Sequence, residues 1–132
     1  MLNLEPLAVK AAALMVGDNA KDAENMINKA LMVLAEQGVC AFALFLASRK
    51  RAQDTTARDH IHKAMRNLLS DSKLGDLPTS VDVESYKLLT YIQTGEDDLA
   101  ALQRLLLTKQ LMETALTYGR YQAKSKANEV AG

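Results

Sequence analysis

A chain of 132 residues, 48% hydrophobic and without tryptophan, can bury one core but divides poorly into two, so a single domain spanning 1–132 is expected. Sixteen basic and sixteen acidic side chains cancel, which excludes a uniformly basic or acidic surface. One cysteine excludes an internal disulfide, and no apolar run approaches the roughly 20 residues of a membrane span. Glycine and proline are scarce, and Ala, Leu and Met, which lose little rotamer freedom in helices, dominate. The expected class is all-α, a compact bundle of about six helices around a central apolar helix.

Glu5 and Pro6 open the first predicted helix, proline being tolerated in a first turn, and Gly17 closes it. The opening MLNLEPLAVKAAALMVGDNAK lacks the basic lead of a signal peptide, and Cys40 lies unpaired in an apolar run. A reducing cytoplasm and no membrane are therefore expected. A second helix runs from Asp18 or Ala20 to Gln37, with Met26, Ala30, Val33, Leu34 and Ala35 as its apolar stripe and Gly38 as its stop. The third, Gly38 to Arg51, has nine non-polar residues from Val39 to Ala47 running into Arg49, Lys50 and Arg51. Apolar on every side, it is expected to be the buried centre, with a positive tip at the surface.

Asp54 or Thr55 is expected to cap a fourth helix from Thr56 to about Asp71. Ala57, Ile61, Ala64, Met65, Leu68 and Leu69 would face inward and Arg58, Asp59, Lys63 and Arg66 outward. Residues 70–80, SDSKLGDLPTS, read as a loop. Ser80 or Asp82 caps a short helix that extends through Thr94 to Gly95, and a last helix runs from Asp97 to about Lys126. Residues 127–132 are expected to form a disordered tail.

Charge is segregated along this order. Residues 49–66 carry a net +4 and residues 104–126 another +4, separated by an acidic block of −5 and preceded by one of −2. On the last helix Lys109, Glu113, Arg120 and Lys124 share a sector outside the core face, flanked by Tyr118 and Tyr121. Basic and aromatic groups so interleaved suit phosphate contact and base stacking, while the bland reading is a solvated face, or basic helices lying against acidic ones.

Catalytic chemistry finds no footing. His60 and His62 point about 200° apart on a helix and cannot share a metal. There is no Glu-x-x-His pair, Cys-x-x-Cys or phosphate-cradling glycine loop, and Glu96, Asp97 and Asp98 read as a helix start. Cys40 is expected to be a small buried hydrophobe. No enzyme, cofactor or metal is expected.

The sequence Leu34-Ala35-Glu36-Gln37-Gly38-Val39, leading into Phe42-Ala43-Leu44-Phe45-Leu46-Ala47-Ser48-Arg49-Lys50, together with Leu105 to Leu111 and Tyr118-Gly119-Arg120-Tyr121-Gln122-Ala123-Lys124, resembles the small helical subunit of type III-B CRISPR effector complexes. Gly119 stands where that pattern has a bulkier residue. The resemblance implies a non-catalytic protein of antiviral defence that stacks in several copies beside the backbone subunits of a ribonucleoprotein filament, along the duplex of guide RNA and target RNA. Arg49, Lys50, Arg51, Arg58, Lys63 and Arg66 are then the leading RNA contacts and Lys109, Arg120 and Lys124 the second set. The competing assignment for either set is a salt-bridged protein contact. The alternative class is a helical adaptor or homo-oligomer that binds protein only, through the face bearing Met26 and Met32 or through the last helix.

Overall fold

The computed structural model describes residues 4–131, the side chains of Gln53 and of residues 129–131 excepted. Six helices follow one another: α1 (Glu5–Val16), α2 (Ala20–Gln37), α3 (Val39–Ser48), α4 (Ala52–Ser72), α5 (Val83–Leu88) and α6 (Asp98–Ala131). The all-α class and the number of helices match the sequence pattern. Pro6 lies in the first turn of α1, and the Asn19 side chain caps α2 by accepting the Asp22 N–H. Gly38 joins α2 to α3 in a single residue: its N–H donates to the Leu34 carbonyl and its own carbonyl accepts the Phe42 N–H, at φ +98°. That backbone is costly for any residue with a Cβ, so glycine makes the hairpin this tight.

The helices of the bundle proper are α1, α2, α4 and α6: α6 lies along α1 and α2, and α1 lies along α4. Met15, Ile27, Leu34, Ile61, Met65, Leu68, Met112 and Leu116 fill the space between them without solvent exposure. Gly119 of α6 lies where three helices meet. A Cβ there would stand 2.8 Å from Met15 Sδ and 3.4 Å from Ile27 Cδ1, which explains why a bulkier residue is missing at this position.

The apolar third helix is not the centre. α3 packs on α2 and α5 at the flank, burying Val39, Phe42, Ala43 and Leu46 while Leu44 is 59% exposed and Cys40 is half-buried. Three turns, about 15 Å of helix, cover one side of the α2 surface, and four longer helices already enclose the interior. Phe42 meets Tyr86 edge to face, ring centroids 5.8 Å apart, so this helix supports α5.

Three boundaries differ from expectation. α4 starts at Ala52, with Arg51 as its N-cap residue and the Arg51 carbonyl accepting the Asp54 and Thr55 N–H groups, so neither Asp54 nor Thr55 is the cap. α5 is capped by Asp82 as expected but ends at Leu88, because side chains take the carbonyls that would continue it: Gln93 Nε2 donates to Leu88 and Tyr91, and Arg104 to Leu89 and Tyr91. α6 continues to Ala131, so helix replaces the expected tail over 127–131, and residue 132 lies outside the described residues.

The segment between α4 and α5 is anchored. Leu77 is buried, and His62, 1% exposed, ties the middle of the connection and α5 to α4, with Nε2 2.8 Å from the Pro78 carbonyl and Nδ1 2.8 Å from the Tyr86 hydroxyl. A carbonyl only accepts, so Nε2 carries the proton and the Tyr86 O–H donates to Nδ1. Burial pushes the Tyr86 phenol far above its ordinary range, which keeps that donor in place. Among the described residues, no helix is long and apolar enough to cross a membrane.

Candidate nucleic-acid interface

The basic tip of α3 sits on a rigid turn. Ser48 Oγ donates to the Phe45 carbonyl, the Arg49 N–H to Leu46 and the Lys50 N–H to Ser48, so the chain leaves α3 in fixed geometry and enters α4 two residues later. The Arg49 guanidinium lies 4.4 Å above the Phe45 ring centroid, and its Nε is buried without a hydrogen-bond partner. Lys50 and Arg51 are exposed beside it.

The hairpin at Gly38 folds this tip back against the first half of α2. Arg49 thus lines a cleft of about 370 Å³ with Asp22, Asn25, Met26 and Lys29 of α2 and Asp54 and Ala57 of α4. Asp22 is engaged with Asn19. Among the described residues, the ion pairs are Lys10–Asp71, Arg58–Asp59, Arg104–Glu96 and Lys109–Glu113, so the two cleft cations, Lys29 and Arg49, are in ion-pair contact with neither of the two aspartates that share the cleft. Lys29 was missed by sequence reasoning because it lies in an acidic block. The signal that finds it is the hairpin: a turn at 38 returns residue 49 to the level of residue 27.

Not every basic residue of residues 49–66 joins that tip. Arg58 lies at the edge of the core face of α4. Its Nη1 donates to the Arg49 carbonyl at 3.0 Å and its Nε and Nη2 to Asp59 Oδ1, so it is a clamp on the turn and not a group facing water. Lys63 is exposed and Arg66 half-buried on the outer side of α4, about 18 Å of helix beyond Arg51 in the case of Lys63. Residues 49–66 therefore present a three-residue tip and two outlying cations.

The second set divides in the same way. Lys109 donates to the Ala35 carbonyl at 3.3 Å and lies 3.7 Å from Glu113, tying α6 to the end of α2. Arg120 and Lys124 line a groove of about 550 Å³ with Tyr121 and, from α2, Glu24, Asn28, Leu31, Met32 and Ala35. The Arg120 guanidinium lies 5.4 Å from the Tyr121 ring centroid. Tyr121 is exposed, whereas the Tyr118 hydroxyl donates to Glu5 at 2.8 Å, which holds the phenol above its usual range and removes it from the stacking pair. Met26 is buried in the core, so Met32 alone remains of the methionine face.

Arg104, absent from the sequence-based set, makes three side-chain hydrogen bonds, as many as Arg58. Its Nε donates to Glu96 at 2.8 Å, Nη1 to the Leu89 carbonyl at 2.7 Å and Nη2 to Tyr91 at 2.6 Å. This hydrogen bond from Arg104 and a second from the Gln93 N–H hold the Glu96 carboxyl below the usual carboxylate range. Of the acidic run, Asp97 is the helix start, accepting the Ala100 N–H. Among the described residues, no group of three His, Cys, Asp or Glu side chains stands ready to hold a metal. No protein-family model, curated protein or solved structure matches the chain.

Proposed function

We propose that the protein is a non-catalytic small subunit of a type III-B CRISPR effector complex, stacking in several copies in the cytoplasm along the duplex of guide and target RNA. One observation supports this most: the Arg49 guanidinium is held over Phe45 on a rigid turn at the edge of the cleft. Stacking fixes the plane of the guanidinium, and its planar fork suits the oxygens of a phosphate. Lys29 lines the same cleft, together with Asp22 and Asp54, and Lys50 and Arg51 are exposed beside Arg49. Duplex RNA is recognised by shape and backbone contact, which asks for cations on a fixed surface and no base-reading code.

In this reading Arg49, Lys50 and Arg51 contact phosphates first, Lys63 and Arg66 extend the path along α4, and Arg120 and Lys124 with Tyr121 form the second contact. Arg58 and Lys109 position the backbone. Neutral net charge makes a single copy a weak binder, and several stacked copies bind together. Fluorescence anisotropy with an RNA duplex at two salt concentrations tests it. The wild type should bind weakly, with affinity falling steeply as salt rises, and R49A/K50A/R51A should lose affinity and flatten the salt slope by about 2 to 3. Equal binding by the triple variant, alone and in an assembled complex, refutes the assignment of RNA to this tip.

A further inference from the structure

The first half of α6 has apolar residues on two sides. Thr108, Leu111 and Met112 turn into the bundle, whereas Leu99, Leu102 and Leu106 are 62%, 52% and 50% exposed. Their spacing of three and four residues makes a narrow seam of the kind that pairs one helix with another. Charge bounds it unequally, with Asp97 and Asp98 at its N-terminal end and Lys109 at the other. At 100° per residue Asp98 and Lys109 fall on the same flank of the seam. A seam that is acidic at one end and basic at the other, on one flank, complements a copy of itself laid antiparallel. A parallel copy would put Asp98 level with Asp98 and Lys109 level with Lys109, so neither would meet the opposite charge.

We propose that this segment of α6 pairs about a two-fold axis with the same segment of a second copy of this chain, Leu102 meeting Leu106 of the second copy and Asp98 lying level with its Lys109. Asp98 is free for this contact, belonging to none of the ion pairs among the described residues. The Lys109 ammonium has three N–H donors, of which two are directed at the Ala35 carbonyl and Glu113. Its aliphatic stem continues the seam one step beyond Leu106. The leucines span about 10 Å of helix, less than the roughly 800 Å² per partner of a standard interface, so pairing depends on concentration. A two-fold pair closes on itself and cannot build a filament. It is therefore the state of the free protein, and it holds whether or not RNA occupies the Arg49 cleft.

Sedimentation equilibrium on the nuclease-treated full chain, over a wide concentration range, tests the pairing. The wild type should show a reversible monomer–dimer equilibrium. L102E, which alters an exposed side chain and should keep its circular dichroism spectrum, should weaken it by about tenfold or more. D98K, at an exposed side chain in no ion pair among the described residues, should weaken it as well. A monomer at every concentration, or a dimer indifferent to both L102E and D98K, overturns the proposal. R49A/K50A/R51A should dimerise like the wild type and L102E should bind RNA like the wild type, so failure of one reading leaves the other standing.

Discussion

Residues 49–66 and 104–126 carry the same net charge, and the fold uses them differently. Along α6, Arg104 donates to the Leu89 and Tyr91 carbonyls beyond α5, Lys109 to Ala35 in the last turn of α2, and Lys126 to Gly17 at the end of α1. Each donates to carbonyls that have no intrahelical N–H partner, at the negative end of a helix dipole. None of α1, α2 and α3 has a basic residue in its own last turn, and cations distant in sequence serve there instead. In residues 49–66 only Arg58 acts this way, capping α3 at the Arg49 carbonyl. A basic block is thus a cap wherever it passes helix C-termini, and it is available to an outside anion where it does not.

Removing Arg104 tests the contrast most severely. Its side chain and that of Glu96 are 14% and 18% exposed, and Arg104→Ala strands a carboxylate and two carbonyls together. A loss of about 2 to 3 kcal/mol in thermal unfolding is expected, and a loss below about 0.5 kcal/mol contradicts the capping role. The same contact sets an acid limit. Because the folded Glu96 carboxyl titrates below its ordinary range, its contribution is complete above the unfolded value near 4.3 and disappears as pH falls through the folded value. Acid titration followed at the tyrosine rings should show Glu96→Gln lacking that step, whereas an identical profile removes the linkage.

Arg58→Ala comes next. It opens the α3–α4 turn by removing one cap and one exposed ion pair, for about 1 kcal/mol. Amide exchange at Lys50 and Arg51 should quicken with it, and unchanged exchange there would show that the turn holds itself. Lys126→Ala has a smaller effect, about 0.5 kcal/mol by its helix-end interaction, measured by urea midpoint.

Residue spacing alone conveyed much of this architecture. The inward face of α4 is the predicted one, and Asp82, Gly38 and Asp97 act where capping chemistry put them. What escaped it was tertiary. A short apolar run such as Val39 to Ala47 has the same pattern at the centre of a bundle as on its flank, and only the lengths of its neighbours decide. The early stop of α5 depends on Arg104, fifteen residues beyond Leu89. The candidate site was legible as the tip Arg49, Lys50 and Arg51, but Lys29 enters it through the hairpin, and Arg58 leaves it because its place at the edge of the core face brings a carbonyl within reach.

The smallest expected effect on stability decides most about function. In R49A/K50A/R51A two of the three changes remove exposed side chains, and the third removes the Arg49 contact with Phe45, worth about 0.5 to 1 kcal/mol. That loss is offset by deleting a buried Nε donor without an acceptor, a gain of similar size. The net change in unfolding free energy should fall within about 0.5 kcal/mol of zero while RNA affinity drops. A loss above about 2 kcal/mol would make Arg49 another internal clamp like Arg58, and both basic blocks would then serve the fold alone. Near-zero stability change together with lost RNA binding keeps the two blocks distinct, since a side chain that can be removed without cost to the fold and yet is held rigidly in place must meet its partner outside the chain.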